Sequence, residues 1–201
     1  MRSSTAELSV LAKFKPVDHA ASNIPTNHFL AICNLILQFL DIYQNIQRLE
    51  TMYESDPSMY SNMVEILKKE TNEGNARKLT SCSRAFLWLT RSLDFTVSLL
   101  QKSKEEPRLS MEQAVEDAYN LTLKPWHGWI SSAAFKIALK LVPDSETFTN
   151  LLMAKDENND ALVKEIDSFI SQLAPFLEDI HNILVRSLKV CIKEDQWTKE
   201  E

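Results

Sequence analysis

Glycine is what this sequence has least of. Two glycines in 201 residues, about 1% against a usual share of roughly 7%, leave few places for the positive φ that tight hairpins and β-turns require. A β-rich or doubly wound architecture is disfavoured, and an all-α fold is expected. Cysteine is scarce too. Cys33, Cys82 and Cys191 are odd in number, far apart and without CxxC spacing. They read as free thiols in a reducing compartment rather than as a disulfide framework or a metal site. No apolar run approaches the roughly 18–20 residues that span a bilayer, and Met1–Lys15 lacks the apolar stretch of a secretion signal. An excess of positive charge is also missing. The net charge of −6 speaks against a nucleic-acid partner, whose phosphates call for a basic surface. What remains is a cytosolic, soluble monomer, with 44% hydrophobic residues to build one core.

Punctuation divides the chain into helices. Residues 1–23 hold no lasting periodicity and read as a loosely ordered extension, with a turn of helix near Leu8–Phe14. Thr26 or Asn27 caps a helix whose apolar positions Phe29, Ile32, Cys33, Ile36, Leu37 and Leu40 recur at three and four. No Gly or Pro interrupts His28 to Asp56, so periodicity allows one helix to about Tyr53. Asp56-Pro57 predicts an N-cap and a helix over Ser58–Thr71, followed by a turn at Asn72–Asn75 around Gly74. A long helix is expected over Lys78–Lys102. Ser110-Met111-Glu112-Gln113 reads as a capping box opening another through about Thr122. After Pro125 the pattern predicts Trp129–Leu141, then a short helix over Phe148–Met153 and a polar loop over Lys155–Asp160. Two more follow, Leu162–Leu173 and, beyond Pro175, one to about Lys193. Seven or eight helices with short connections fill one domain over 24–195, and 196–201 is a tail.

Three places gather side chains able to do chemistry. Asp41, Asn45 and Arg48, spaced by four and three, lie within about 60° of one another on a helix. They form either a solvated face or a grip for a hydroxylated group. Arg84, Trp88, Arg91 and Phe95 share a second stripe. Trp88 there is either a surface partner for the arginines or a flat platform for a sugar ring or an amide. The third is Lys124-Pro125-Trp126-His127-Gly128-Trp129, with two of the four tryptophans and one of the two glycines. His19, His28, His127 and His181 follow no metal-ligand spacing, and no nucleophile elbow or Gly-rich oxyanion loop is present. Catalysis and a metal centre are therefore not expected. His127 is either a packed imidazole or a hydrogen-bonding group beside an apolar wall.

The segments Asp41-Ile42-Tyr43-Gln44-Asn45-Ile46-Gln47-Arg48-Leu49, Leu87-Trp88-Leu89-Thr90-Arg91-Ser92-Leu93-Asp94-Phe95 and Trp126-His127-Gly128-Trp129 occur in that order. With them the chain resembles the glycolipid transfer protein family, most of all its plant members, over about Pro25–Cys191. The resemblance implies an all-α, two-layer helical sandwich of about eight helices that moves one sphingolipid between membranes. No covalent chemistry and no cofactor are involved. By matching position, Asp41, Asn45, Arg48, Arg84, Trp88 and His127 would hold the headgroup and the ceramide amide, with Trp88 under a sugar ring and His127 on the amide carbonyl. Trp129 would touch the membrane transiently. Candidate acyl-pocket walls are Phe95, Leu123, Phe135, Leu139 and Phe148. The energetics are apt for a carrier: at about 0.8 kcal/mol per CH₂, a sixteen-carbon chain costs roughly 12 kcal/mol to expose to water.

Two departures from the family pattern stand out. Members that take a phosphorylated headgroup carry two arginines four apart on the central helix. Here Arg84 matches the first and Trp88 replaces the second, which favours a sugar over a phosphate. Relatives also place roughly a dozen more residues, enough for a helix reversal, before the Asp-containing motif. Here Leu40-Asp41 runs straight into it. A helix continuous through Tyr53 therefore has either to break or to be accommodated by a rearranged sandwich.

Overall fold

The computed structural model describes residues 26–152 and 159–188. The expected N-terminal extension, the C-terminal tail and the thiols Cys33 and Cys191 lie outside the side chains it describes. Among the described residues the chain is helical throughout, without strands: α1 (Thr26–Ser55), α2 (Met63–Asn72), α3 (Cys82–Glu105), α4 (Met111–Thr122), a short 3-10 turn (Lys124–Trp126), α5 (Trp129–Leu139), α6 (Ser145–Leu152) and α7 (Asn159–Leu188).

The first helix does not break. With neither Gly nor Pro inside, its 30 residues run on as one rod, about 45 Å long at 1.5 Å per residue. The second helix starts later than Asp56-Pro57 predicts. Asp56 accepts from Ser58 Oγ at 2.7 Å and from the Met59 amide at 3.1 Å, which makes a turn rather than a helix start. Asn62 is the N-cap instead, accepting from the Val64 amide. Packing explains the delay, because Tyr60 is buried with Ile66 and Cys82 against Leu49, Met52 and Met63. The intervening turn brings its ring inward.

Gly74 closes α2, and here φ of +69° favours glycine. The Gly74 amide donates to the Thr71 carbonyl and the Asn75 amide to the Glu70 carbonyl, the paired bonds of a Schellman cap. The Glu70 side chain, 7% exposed, turns the other way. It accepts from the Cys82 and Ser83 amides at 2.8 and 2.7 Å and from Ser83 Oγ at 2.6 Å. A carboxylate on the free N–H groups of a helix start satisfies both those donors and the dipole. Ser81 completes the cap by accepting from the Arg84 amide.

α3 is the hub, packing against α1, α2, α4 and α7. It carries several Ser and Thr residues, poor helix formers whose hydroxyls here donate one turn back: Thr90 to Phe86, Ser92 to Trp88, Thr96 to Ser92. One face, Leu87 and Val97, packs with Leu177, Ile180 and Leu184 of α7. Leu89 and Leu100 of the same helix are only half-buried.

The expected break at Pro175 is absent, since α7 continues through it. A proline inside a helix costs about 3 kcal/mol. The apolar row Leu173, Leu177, Ile180 and Leu184 against α3 recovers more than that, at about 1.5–3 kcal/mol for each fully buried aliphatic side chain. His181 Nε2 on Asp94 Oδ1 at 3.0 Å and the Lys104–Asp167 ion pair tie the same two helices.

Candidate sphingolipid site

The geometry of α3 sets the first half of the site. Trp88 and Arg91, one turn apart, meet the end of the 3-10 turn Lys124–Trp126, Arg91 at Trp126 and Trp88 at the His127 that follows. The Arg91 guanidinium carbon stands 3.7 Å from the Trp126 ring centre and 5.0 Å from that of Trp88. Two indole faces thus flank one cation. Arg91 is 5% exposed, so the sequence-based alternative of a surface cation–π pair is corrected to a buried one. Among the described residues it forms no ion pair. Burial, and then the nearby charge of Arg84, push its pKa down to about 9, which still leaves it positive at neutral pH.

The turn delivers His127 next. Its ring lies 5.7 Å from Trp88 and 5.5 Å from Tyr119, centre to centre. Tyr119 Oη is 3.2 Å from His127 Nδ1 and 3.3 Å from Ser132 Oγ, and the Tyr119 ring stacks on Phe135 at 3.5 Å. Burial, then the charge of Arg91, lower the His127 pKa below its ordinary value, so the imidazole is neutral near pH 7. Gly128 follows as the N-cap of α5, and Trp129, in its first turn, is 82% exposed. Leu121 and Ile130, on either side in sequence, are exposed as well.

The α1 triplet forms a second group. Arg48 Nη1 donates to Asn45 Oδ1 at 3.2 Å, and Asp41 is exposed. Among the described residues no hydrogen bond or ring contact joins these three to Trp88 or His127. Their link to α3 is at Cys82, whose Sγ donates to the Arg48 carbonyl at 3.6 Å. Burial holds that thiol in its neutral form, its pKa raised to about 11. A groove of about 510 Å³ opens here between Gln44, Arg48, Met52, Glu70, Thr80 and Cys82.

The apolar candidates are less concentrated. Phe95, Leu123, Phe135, Leu139 and Phe148 are all half-buried, and Phe135 is taken up by its stack on Tyr119. Neither the groove at Arg48 nor a second of about 440 Å³ along Glu165, Phe169 and Phe176 of α7 includes any of them. Among the described residues no cluster of His, Cys, Asp or Glu is arranged to hold a metal ion.

Arg91 and Tyr119 are the residues that sequence reasoning left out of the site. Arg91 stood beside Trp88 on the same stripe, but its burial is a tertiary fact. Tyr119 carried no signal in its own helix.

Comparison with known proteins identifies the family. The glycolipid transfer protein family model matches residues 24–154. Glycolipid transfer protein 3 of Arabidopsis thaliana is 56% identical over 174 residues, 81% of this chain and 75% of the relative. Glycolipid transfer protein 2 of the same plant is 48% identical over 191 residues, 89% of this chain and 86% of the relative. A solved structure concerned with how FAPP2 selects simple glycosphingolipids using the GLTP fold superposes with a TM-score of 0.64 at 26% identity, covering 73% of this chain and 72% of that one. From the order of its motifs, its all-helical architecture and these likenesses, the chain belongs to the glycolipid transfer protein family.

Proposed function

We propose that this protein carries a glycosphingolipid between membranes without altering it. The observation that carries the reading is the Trp88–His127 pair, an indole and a neutral imidazole whose centres are 5.7 Å apart. An indole face suits the apolar side of a sugar ring, and a neutral imidazole suits a single hydrogen bond to an amide. The exposed apolar residues Leu121, Trp129 and Ile130 support transient contact with a membrane surface, where an indole prefers the interface. Among the described residues no helix is long and apolar enough to cross a membrane. A monomer working in the cytosol fits this role. Asp41, Asn45, Arg48 and Arg84 would hold the rest of the headgroup, and Phe95, Leu123, Phe135, Leu139 and Phe148 would part to admit the chains.

The test is transfer of fluorescent glucosylceramide between vesicles. Wild-type protein is expected to move it without forming product. Trp88→Ala and His127→Leu, both folded by circular dichroism, are expected to lose about tenfold or more, the worth of one to two such contacts. Normal transfer by both variants would remove this headgroup assignment.

A second reading draws on Arg91. A buried cation that forms no ion pair among the described residues, beside Arg84, favours an anionic headgroup of the ceramide-1-phosphate type, held by a lipid sensor without net shuttling. Native mass spectrometry after exposure to a mixture of glucosylceramide and ceramide-1-phosphate separates the two by the mass retained.

A further inference from the structure

The ring of Tyr119 is buried and stacked on carbon. The residue is 3% exposed, and its ring lies on Phe135 at 3.5 Å and 7° from parallel. That stacking points Oη between His127 Nδ1, at 3.2 Å, and Ser132 Oγ, at 3.3 Å. Three polar atoms therefore form one chain, and its protons can be ordered in two ways.

In one order, Tyr119 donates to Nδ1, and the ring proton of His127 sits on Nε2. In the other, Nδ1–H donates to Tyr119, Tyr119 donates to Ser132, and Nε2 carries a lone pair. The ligand meets a donor in the first case and an acceptor in the second. Acidity decides between them. A phenol, with a pKa of about 10, is a far stronger donor than an aliphatic alcohol. A neutral imidazole nitrogen is the strongest acceptor of the three, and the best match joins these two. Burial and the neighbouring Arg91 charge keep the imidazole neutral, so one ring nitrogen has a lone pair to accept with, and in this order it is Nδ1.

We propose that Tyr119 is a positioning residue. Its hydroxyl fixes His127 in the Nε2–H form, so the site selects a ligand that offers an acceptor, namely the amide carbonyl oxygen of a sphingolipid. The choice of lipid amide rests on the carrier reading above; the tautomer does not. Tyrosine thus acts on the ligand only through the ring it orients.

Long-range proton–nitrogen correlation spectra of the full chain, labelled with nitrogen-15 at histidine and recorded near neutral pH without lipid, test this. His127→Gln identifies the His127 signals. Wild-type protein is expected to show the Nε2–H form, and Tyr119→Phe a mixture of both forms. Glucosylceramide transfer by Tyr119→Phe is expected to slow about 3- to 10-fold, the worth of one hydrogen bond. Ser132→Ala is expected to keep the Nε2–H form, because the phenol still donates. A wild-type Nδ1–H form overturns the proposal, as does a Ser132→Ala spectrum that switches form or a Tyr119→Phe spectrum identical to wild type. Should Tyr119→Phe fail to fold, the wild-type and Ser132→Ala spectra decide the matter alone. Lipid transfer with His127 in the Nδ1–H form sinks the relay and leaves the carrier. The Nε2–H form without any lipid binding does the reverse.

Discussion

Arg91 stacks on Trp126, its guanidinium carbon 3.7 Å from the ring centre, and so joins the hub helix to the turn that presents His127. Removing either partner has different consequences. Trp126→Ala takes away a large half-buried ring and leaves a buried cation with one fewer face. It is expected to cost about 2–3 kcal/mol in urea unfolding. Trp126→Phe keeps a face and is expected to cost less than about 1.5 kcal/mol. Arg91→Met replaces the charge by an apolar chain and is expected to stay within about 1 kcal/mol of wild type. A larger loss from Arg91→Met than from Trp126→Ala would show that the charge, rather than the ring, holds this corner.

Glu70 is the next point of leverage. Its carboxylate accepts three hydrogen bonds at the start of α3, and the Cys82 and Ser83 that donate them are buried. Glu70→Ala strands those donors away from water and is expected to destabilise by about 3 kcal/mol. Equilibrium denaturation reads this directly, and an unchanged midpoint would contradict the capping role.

Gly74 offers a cleaner backbone experiment. Nothing lies within 4 Å of where a Cβ would stand, so a substitution there meets no steric block and only the φ of +69° opposes it. Gly74→Ala is expected to lower stability by about 1 kcal/mol, and Gly74→Asn by less, because asparagine tolerates the left-handed region. Thermal melts of the two variants distinguish the outcomes by their order.

His127 gives the molecule a pH dependence of known sign. Its pKa in the folded state lies below that of the unfolded chain, near 6.5 for an ordinary histidine. Between the two values the unfolded chain binds more protons, so stability rises with pH across that window. The contribution is fully present above about pH 6.5 and is lost as pH falls through the folded-state value. Melts of lipid-free protein are expected to decline from pH 7 toward pH 5, and His127→Gln to decline less steeply. Parallel curves for the two proteins would remove His127 as the source.

The helical class, the unbroken α1, the Ser110 cap and the three motifs were all legible in the chain as written. They are local matters. A 3.6-residue period, an absence of glycine and a hydroxyl before three free amides act over a turn or two, and their physics is the same in any fold. Asp56-Pro57 misled because a turn and a helix start use the same residues, and the burial of Tyr60 chose between them. Pro175 misled for a related reason: its cost is local, whereas the apolar row that offsets it lies on another helix. The site divides in the same way. Trp88 and His127 stand out by type and motif, so the sequence alone singles them out as candidates. That Arg91 is buried between two indoles, that Tyr119 reaches His127 from a different helix, and that Glu70 caps α3 from α2 depend on contacts between separate elements. Only tertiary packing decides these, because desolvation and hydrogen-bond geometry are properties of where helices meet, not of the helices themselves.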